Sequence, residues 1–226
     1  MLQATFEGIY HHGNWSHAGG GSGPGSSLLA TMGASRILFH VIMAYSIRTM
    51  IDAPCGAMVW QAHLLPQLYS HVPEFKYLGY DIVPTVVEGN RQKFNGTSYV
   101  SIEHADLAVQ RVAKGYDLIF SRDALQHVPL DSVWQILWNF AASDARWVLV
   151  GSYPCQHHEL KCNQKGNVDI KAGEYFSIDL AKTPFELDPT HIFDEQTRDG
   201  KHLYLYERAN LLAQLRRHRS RVAFDT

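Results

Sequence analysis

This sequence has few cysteines, little net charge and no long apolar run. Its three cysteines, Cys55, Cys155 and Cys162, are an odd number and do not make a disulfide framework. The formal net charge of -2 provides no general attraction to nucleic acid or anionic lipid. His40 and Ser46 interrupt the longest apolar run, which stays short of the roughly 18 residues that a membrane span needs. We therefore expect no secreted disulfide scaffold, no membrane span and no nucleic-acid partner.

The start of the chain also lacks a feature, the basic-then-apolar pattern of a signal peptide. Residues 1–12 read MLQATFEGIYHH. Together with the sparse cysteines, this favours a reducing, cytoplasmic location. The 226 residues are 46% hydrophobic and 19% charged, which is typical of a folded globular chain of one or two domains.

From residue 49 onwards, short apolar stretches alternate with segments of helical pattern. Strands are predicted within 49–56, 76–83, 97–107, 116–123, 146–154 and 201–208. Helices are predicted within 28–45, 59–72 (with a break at Pro66), 83–94 and 124–143, and residues 208–226 are expected to form a short helix and a basic tail. The alternation predicts an α/β fold whose mostly parallel sheet has helices on both faces.

A Gly/Ser-rich segment, residues 13–27, precedes the first predicted helix. Ser26 or Ser27 can cap that helix, because a hydroxyl there accepts a free backbone N–H of the first turn. A loop tied to a packed helix often acts as a lid, whereas Gly/Ser tracts also serve as plain linkers. Both interpretations stay open from the composition alone.

Acidic residues stand at or near four consecutive predicted strand ends: Asp52, Asp81, Asp106 and Asp123. Ligands of parallel α/β sheets bind outside the carboxyl ends of the strands, and buried carboxylates are costly without partners. These four acids therefore predict a ligand with hydroxyls, amines or a cation. The loop after Asp52 has neither G-x-G-x-x-G nor G-x-x-x-x-G-K-[ST], so the ligand is expected to carry a ribose and little or no phosphate.

Four motifs resemble those of class I S-adenosylmethionine (SAM) methyltransferases. They are D-x-P-C-G-x-x-x-W at Asp52 to Trp60, Y-x-G-x-D-I-V at Tyr77 to Val83, Asp106-Leu107, and D-L-I-F-S-R-D-x-L-x-H at Asp117 to His127. The wider set S-G-P-G-S-S, D-A-P-C-G, D-I-V-P, R-D-x-L-x-H and N-x-D-I is similar to a narrower group. These are small methyltransferases found with glycosyltransferases in bacterial surface-polysaccharide clusters and in large algal viruses.

The resemblance implies a Rossmann-like fold with a mostly parallel seven-stranded sheet. It places a lid loop and helix in 1–48, the methyltransferase domain in 49–210 with an acceptor-binding insert near 154–200, and a basic tail in 211–226. It implies SAM as cofactor, a sugar hydroxyl of a glycan as methyl acceptor, and glycosyltransferases as working partners. The cofactor contacts that it implies are Ser26, Asp52, Ala53, Gly56, Asp81, Ile82, Asp106, Leu107, Ser121 and Arg122.

The spacing of Asp123 and His127 suggests the catalytic pair. Four residues apart, they share one helix face if the helix has already begun. Histidine, with an ordinary pKa of about 6.5, is suited to take a hydroxyl proton, and Asp123 is expected to orient it or to bind a neighbouring hydroxyl. The alternative is that His127 packs before Pro129 and Asp123 caps the helix.

The sequence also contains candidate residues for contacts with the methyl acceptor and with a metal ion. By resemblance Asn167 and Asp169 face the acceptor, where an Asx turn is the alternative. Candidates for a stacking wall under a sugar ring are Trp15, Tyr153, Tyr175 and Phe176. A hard divalent ion held by Asp123 and Asp169 is a second hypothesis. The stretch Cys155-x-His157-His158-x-x-x-Cys162 has zinc-ligand residue types, but its spacing does not match known zinc arrangements.

Two alternatives to glycan O-methylation stay open. One is a SAM-dependent methyltransferase that acts on a small molecule or a protein side chain. The other is a SAM-binding module without turnover, against which the intact acids at the strand ends count.

Overall fold

The computed structural model describes residues 2–15, 20–154 and 166–224. The cysteine and histidine residues of the zinc hypothesis, Cys155 to Cys162, lie outside these ranges. The described helices are α1 (Leu2–His12), α2 (Met32–Ala44), α3 (Gln61–His71), α4 (Pro84–Lys93), α5 (Leu130–Ala141) and α6 (Arg208–Phe224). The described strands are β1 (Thr49–Asp52), β2 (Lys76–Asp81), β3 (Val100–His104), β4 (Leu118–Ser121), β5 (Trp147–Ser152), β6 (His191–Asp194) and β7 (His202–Glu207).

The strands form one seven-stranded sheet in the order β3-β2-β1-β4-β5-β7-β6. Strands β1 to β5 pair in parallel, while β7 runs antiparallel to both of its neighbours, β5 and β6. The sheet is therefore mixed, with a single reversed strand. Strand order changes direction between β1 and β4, and ligands of open α/β sheets bind at this switch point.

Alternate residues of the central strands pack on opposite faces of the sheet. On β4, Leu118 and Phe120 join one apolar cluster with residues of α2 and α3, whereas Ile119 joins a second cluster with residues of α5 and α6. All three side chains are fully buried, and each contributes roughly 1.5–3 kcal/mol relative to an exposed position. Burial on both faces explains why these strands read as continuous apolar runs.

Several element boundaries differ from the sequence predictions. The helix expected from residue 28 begins at Met32, because the Ser27 hydroxyl accepts the Ala30 N–H and closes a separate turn before it. Pro66 lies inside α3 rather than at a break; its missing N–H costs one hydrogen bond, and burial of Leu64 and Leu68 offsets that loss. Helix α1 and strand β6 were not predicted, and α6 continues through most of the expected tail. No helix within the described ranges is long and apolar enough to cross a membrane.

Two helical glycines provide a matched test of the packing. A Cβ added to Gly33 in α2 would lie 2.0 Å from the backbone oxygen of Glu195, whereas one added to Gly89 in α4 meets nothing within 4 Å. We expect Gly33→Ala to destabilise the fold by about 1–3 kcal/mol through forced displacement of backbone. Gly89→Ala should stabilise it by about 0.5–1 kcal/mol through helix propensity. Urea denaturation of both variants measures this, and equal effects would contradict the close approach of α2 to Glu195.

Candidate active site

One pocket lies at the carboxyl ends of the parallel strands and contains about 920 Å³ of empty space, including its open part. The sequence-predicted residues that line it are Trp15, Ser26, Asp52, Gly56, Asp81, Ile82, Asp106, Leu107, Arg122, Asp123 and His127. Ala53 and Ser121 do not line this pocket; Ala53 donates its N–H to the Phe120 carbonyl, and the Ser121 side chain is buried.

Asp52, at the end of β1, is a buried carboxylate without a cationic hydrogen-bond partner among the described residues. Its Oδ2 accepts hydrogen bonds from Gln61 Nε2 at 2.9 Å and from the Tyr77 hydroxyl at 2.8 Å. Burial raises the pKa of Asp52 to about 7, against the smaller lowering by these two donors. Gln61 Nε2 also donates to the Cys55 carbonyl, so its Oε1 is the free end of the amide. That buried oxygen has no hydrogen-bond partner within the described chain.

Asp81, at the end of β2, joins the loop after β1 to the turn after β2. Its Oδ2 accepts the Gly56 N–H at 3.0 Å, and its Oδ1 accepts the Val83 N–H at 2.9 Å. Burial raises the pKa of Asp81 to about 6 even though these amides favour the anion. Asp106 is half-buried, and its Oδ1 accepts the Ala108 N–H at 3.0 Å.

Helix α1 roofs this pocket with side chains that the sequence analysis did not single out. Leu2, Phe6 and Tyr10 line it from above. Their spacing of four residues is the signal that could have identified them, because it places all three on one face of a helix. The Tyr10 hydroxyl lies 2.6 Å from Ser22 Oγ, which in turn accepts the Ala57 N–H at 2.8 Å. These bonds connect the roof, the Gly/Ser-rich segment and the loop after β1.

A second pocket adjoins the first. The two share Trp15, Ser22, Asp123 and His127 as lining residues. The other lining residues of the second pocket include aromatic and polar side chains, among them Gln126, Tyr153, Tyr175, Arg198, Asp199 and Lys201. Two ligands, one in each pocket, would therefore be adjacent at Asp123 and His127.

His127 lies in a 3₁₀ turn (Leu125–His127) between two aromatic rings. Its ring centroid is 4.6 Å from that of Trp15 and 5.6 Å from that of Tyr175. Its Nδ1 is 2.9 Å from the carbonyl oxygen of Glu174, which can only accept, so in the neutral ring Nδ1 carries the proton and Nε2 the lone pair. Burial lowers the pKa of His127 below its ordinary value, which favours this neutral form at pH 7.

The expected shared helix face of Asp123 and His127 is not observed. Helix α5 begins only at Leu130, and Asp123 has a left-handed backbone with φ of 53°. The turn, not a helix, brings both residues to the pockets. It is the Glu174 carbonyl that holds the imidazole Nδ1, while the carboxylate of Asp123 is engaged elsewhere.

Asp123 lies in an ion cluster. Its Oδ2 is 3.0 Å from Arg122 Nη1 and 2.6 Å from Lys201 Nζ, and its Oδ1 accepts the Tyr153 hydroxyl. Burial alone would raise the pKa of Asp123, but the two cations hold it below its ordinary value. Asp123 is therefore a stable anion and not a proton acceptor. Lys201 lies on the turn before β7, and no sequence motif indicates that it belongs to the site.

The sequence-predicted acceptor residues occupy different places. Tyr153 and Trp15 line the second pocket. Asn167 donates from Nδ2 to the Asp179 carbonyl at 2.8 Å, and Asp169 Oδ1 accepts the Leu130 N–H at 2.8 Å at the start of α5. Neither of the latter two lines either pocket, and their contact with an acceptor stays a prediction.

The hypothesis of a divalent ion finds no support in the placement of Asp123 and Asp169. Asp123 binds two cationic side chains, and Asp169 accepts backbone N–H groups of Leu130 and Ile170. The described part of the chain contains no group of three or more His, Cys, Asp or Glu residues that could hold a metal ion.

No protein-family model matches this sequence, and a search of curated proteins finds no match. Solved structures do match. PigF with SAH (S-adenosylhomocysteine, demethylated SAM) aligns with a TM-score of 0.58 and 14% identity over 78% of this chain and 55% of PigF. Magnesium protoporphyrin IX methyltransferase (ChlM) from Synechocystis PCC 6803 with bound SAH aligns with a TM-score of 0.53 and 15% identity over 76% of this chain and 80% of ChlM. The methyltransferase domain of bacterial CtHen1 matches with a TM-score of 0.46 and 17% identity. The alignment covers 54% of this chain and 66% of that domain.

At these low identities the likeness establishes the fold. The Rossmann-like, seven-stranded sheet with one reversed strand is that of SAM-dependent methyltransferases. The expectation of this fold from the sequence motifs is thereby confirmed, with the sheet mixed rather than purely parallel.

Proposed function

We propose that this chain is a SAM-dependent O-methyltransferase whose acceptor is a sugar hydroxyl of a glycan. The observation that carries this proposal is the meeting of two pockets at His127. One pocket is rimmed by buried acids and suits a cationic nucleoside, and the other combines aromatic rings with polar groups. The solved structures that share the fold and hold SAH support the choice of cofactor.

The residues of the first pocket fit SAM by their chemistry. Asp52 and the unpartnered Oε1 of Gln61 are two buried acceptors, and the cofactor carries an ammonium group that donates hydrogen bonds. In this proposal Asp81 accepts hydrogen bonds from the ribose hydroxyls, and Asp106 accepts one from the adenine amino group. The loop after β1 has no phosphate-binding glycine pattern, and SAM has no phosphate.

When bound, SAM supplies an electrophilic methyl group on its sulfonium. The chain's own part in the reaction is to place a hydroxyl and to remove its proton. We assign that proton transfer to His127 Nε2, because the Glu174 carbonyl fixes the proton of the neutral ring on Nδ1. The ion pair of Asp123 and Lys201 offers a carboxylate and an ammonium group that are suited to bind neighbouring hydroxyls of the acceptor.

The lining of the second pocket favours a sugar as acceptor. The rings of Trp15, Tyr153 and Tyr175 offer apolar faces, and Gln126 and Lys201 offer polar contacts beside them. A pyranose presents both kinds of surface, with C–H faces and a rim of hydroxyls. A polysaccharide substrate, glycosyltransferases as working partners and a cytoplasmic location belong to the same proposal.

Two measurements test the proposal in turn. Calorimetry should detect SAH binding to the purified chain, and absence of heat with both SAM and SAH would contradict the cofactor assignment. Transfer from methyl-labelled SAM should then appear on monosaccharide glycosides, and not on peptides or amines. Label on peptides, amines or another class of small molecule would overturn the acceptor and retain the methyltransferase, while binding without any transfer would identify a module without turnover.

A further inference from the structure

The side chain of Arg122 joins three separate segments of the chain. Its Nε and Nη2 donate to the Glu195 carboxylate at 2.8–3.1 Å, on the turn between β6 and β7. Its Nη1 donates to the Gly25 carbonyl at 3.1 Å and to Asp123, and its Nη2 also reaches the Ala30 carbonyl at 3.4 Å. Every N–H direction of the guanidinium is thus used inside the protein, and the side chain is only 4% exposed.

Glu195 is held in place by backbone contacts in addition to its ion pair with Arg122. Its side chain is 1% exposed, and both carboxylate oxygens contact Arg122. Its backbone N–H donates to the Lys201 carbonyl, and its backbone oxygen is so close to Gly33 of α2 that a Cβ there would lie 2.0 Å away. Glu195 is therefore held by both the hairpin and α2 before it contacts Arg122.

Residues 22–30, here called the cover segment, lie over the junction of the two pockets. At one end Ser22 Oγ accepts the Ala57 N–H beside the first pocket. At Gly25 the segment lies against the Asp123–Lys201 ion pair, since a Cβ at this position would be 2.7 Å from Asp123 Oδ2 and 2.9 Å from Lys201 Nζ. Ser22 lines both pockets, so displacement of the segment would open both.

We propose that Glu195 is a positioning residue that, through Arg122, holds the cover segment closed over the cofactor pocket and the acceptor pocket. Glu195 fixes the guanidinium on one side, and the guanidinium then presents two donors to the Gly25 and Ala30 carbonyls. When the Glu195 carboxylate is removed, Asp123 is the remaining anionic partner of the buried Arg122 guanidinium. The two Nη groups of Arg122 then no longer point at the cover segment. The contribution to ligand retention rests on the proposed function, whereas the closure of the segment does not.

Hydrogen exchange of Glu195→Gln tests this role in the full chain without any ligand. The N–H groups of Ser26 and Ser27, which donate to Gly23 and Pro24 carbonyls, should exchange at least about tenfold faster, as expected for loss of one charge-assisted hydrogen bond. Amides of β4 and β5 should keep their wild-type rates. Glu207→Gln, the same chemical change at an exposed position of the same hairpin, should alter neither.

A second variant covers the case in which Glu195→Gln does not fold. Arg122→Lys retains a cation for Glu195 but lacks the planar fork that reaches Gly25 and Ala30 at once, so it should also release the cover segment alone. In both variants the SAH dissociation rate and the acceptor KM should each rise about tenfold, because the cover segment lines both pockets. Unchanged exchange in both variants, or equal acceleration in the sheet, would overturn the positioning role. If SAH does not bind the wild type, the proposed function fails, and the exchange data still decide the role of Glu195.

Discussion

Replacing Asp52 with asparagine is expected to stabilise the ligand-free protein at pH 8 and to weaken SAH binding. Burial raises the pKa of Asp52 from an ordinary 3.8 to about 7, a difference of about three units or ~4 kcal/mol. The folded state therefore binds this proton more tightly than the unfolded state, and stability falls as pH rises from about 4 to 7. The asparagine side chain would have no charge to desolvate, and its amide oxygen can still accept from Gln61 and Tyr77.

The pH dependence makes this prediction specific. Thermal and urea unfolding should show a gain of up to ~4 kcal/mol for Asp52→Asn at pH 8 and almost none well below pH 3.8, where Asp52 is neutral in both states. Calorimetry should show SAH affinity at least about tenfold lower, through loss of the charge-assisted bond that we propose between Asp52 and the ammonium group. Glu103→Gln, at an exposed position of β3, serves as control and should change neither quantity. A destabilised Asp52→Asn variant that binds SAH normally would contradict both parts.

Replacing His127 with alanine should remove most of the methyl transfer and leave SAH binding nearly intact. A positioned general base typically contributes about 10²- to 10⁴-fold in rate, and we expect kcat to fall within that range. Since burial lowers the pKa of His127, the wild-type rate should be flat at pH 7 and above and should decline only below its ordinary pKa. His127→Ala should lack this acid limb.

The same experiment has a matched histidine control. His63 is exposed on α3, and His63→Ala should retain both the rate and the pH profile. Steady-state kinetics with saturating acceptor between pH 5 and 9, roughly the span in which histidine titrates, provides the comparison. Wild-type turnover in His127→Ala would assign proton removal to water or to another group.

The half of the site made by strand ends could be predicted from the sequence. Asp52, Asp81 and Asp106 each follow a segment that the sequence predicts as a strand, and a parallel sheet brings such ends to one edge whatever the details of packing. The α/β class followed from the same local alternation of strands and helices, whereas the seven-stranded methyltransferase-like fold was implied by the resemblance of the four motifs. These features depend on periodicity within about ten residues, which a single sequence displays directly.

The other half depends on contacts between distant parts of the chain. Lys201 is 78 positions from Asp123 and Glu195 is 73 from Arg122, and no motif marks either residue. Their importance arises from the reversed strand β7, whose hairpin with β6 returns to the ligand-bearing edge. The orientation of His127 by a backbone carbonyl, that of Glu174, has no sequence signature at all.

The hairpin of β6 and β7 has an evolutionary consequence. Because β6 runs in the same direction as β1 to β5, the turn that follows it emerges beside their carboxyl ends and lines the second pocket. Residues 196–200 of this turn take part in no strand pairing. Under the proposed function, acceptor choice can thus diversify within one scaffold while the cofactor half stays constant, and this turn is where a designer would graft a new specificity.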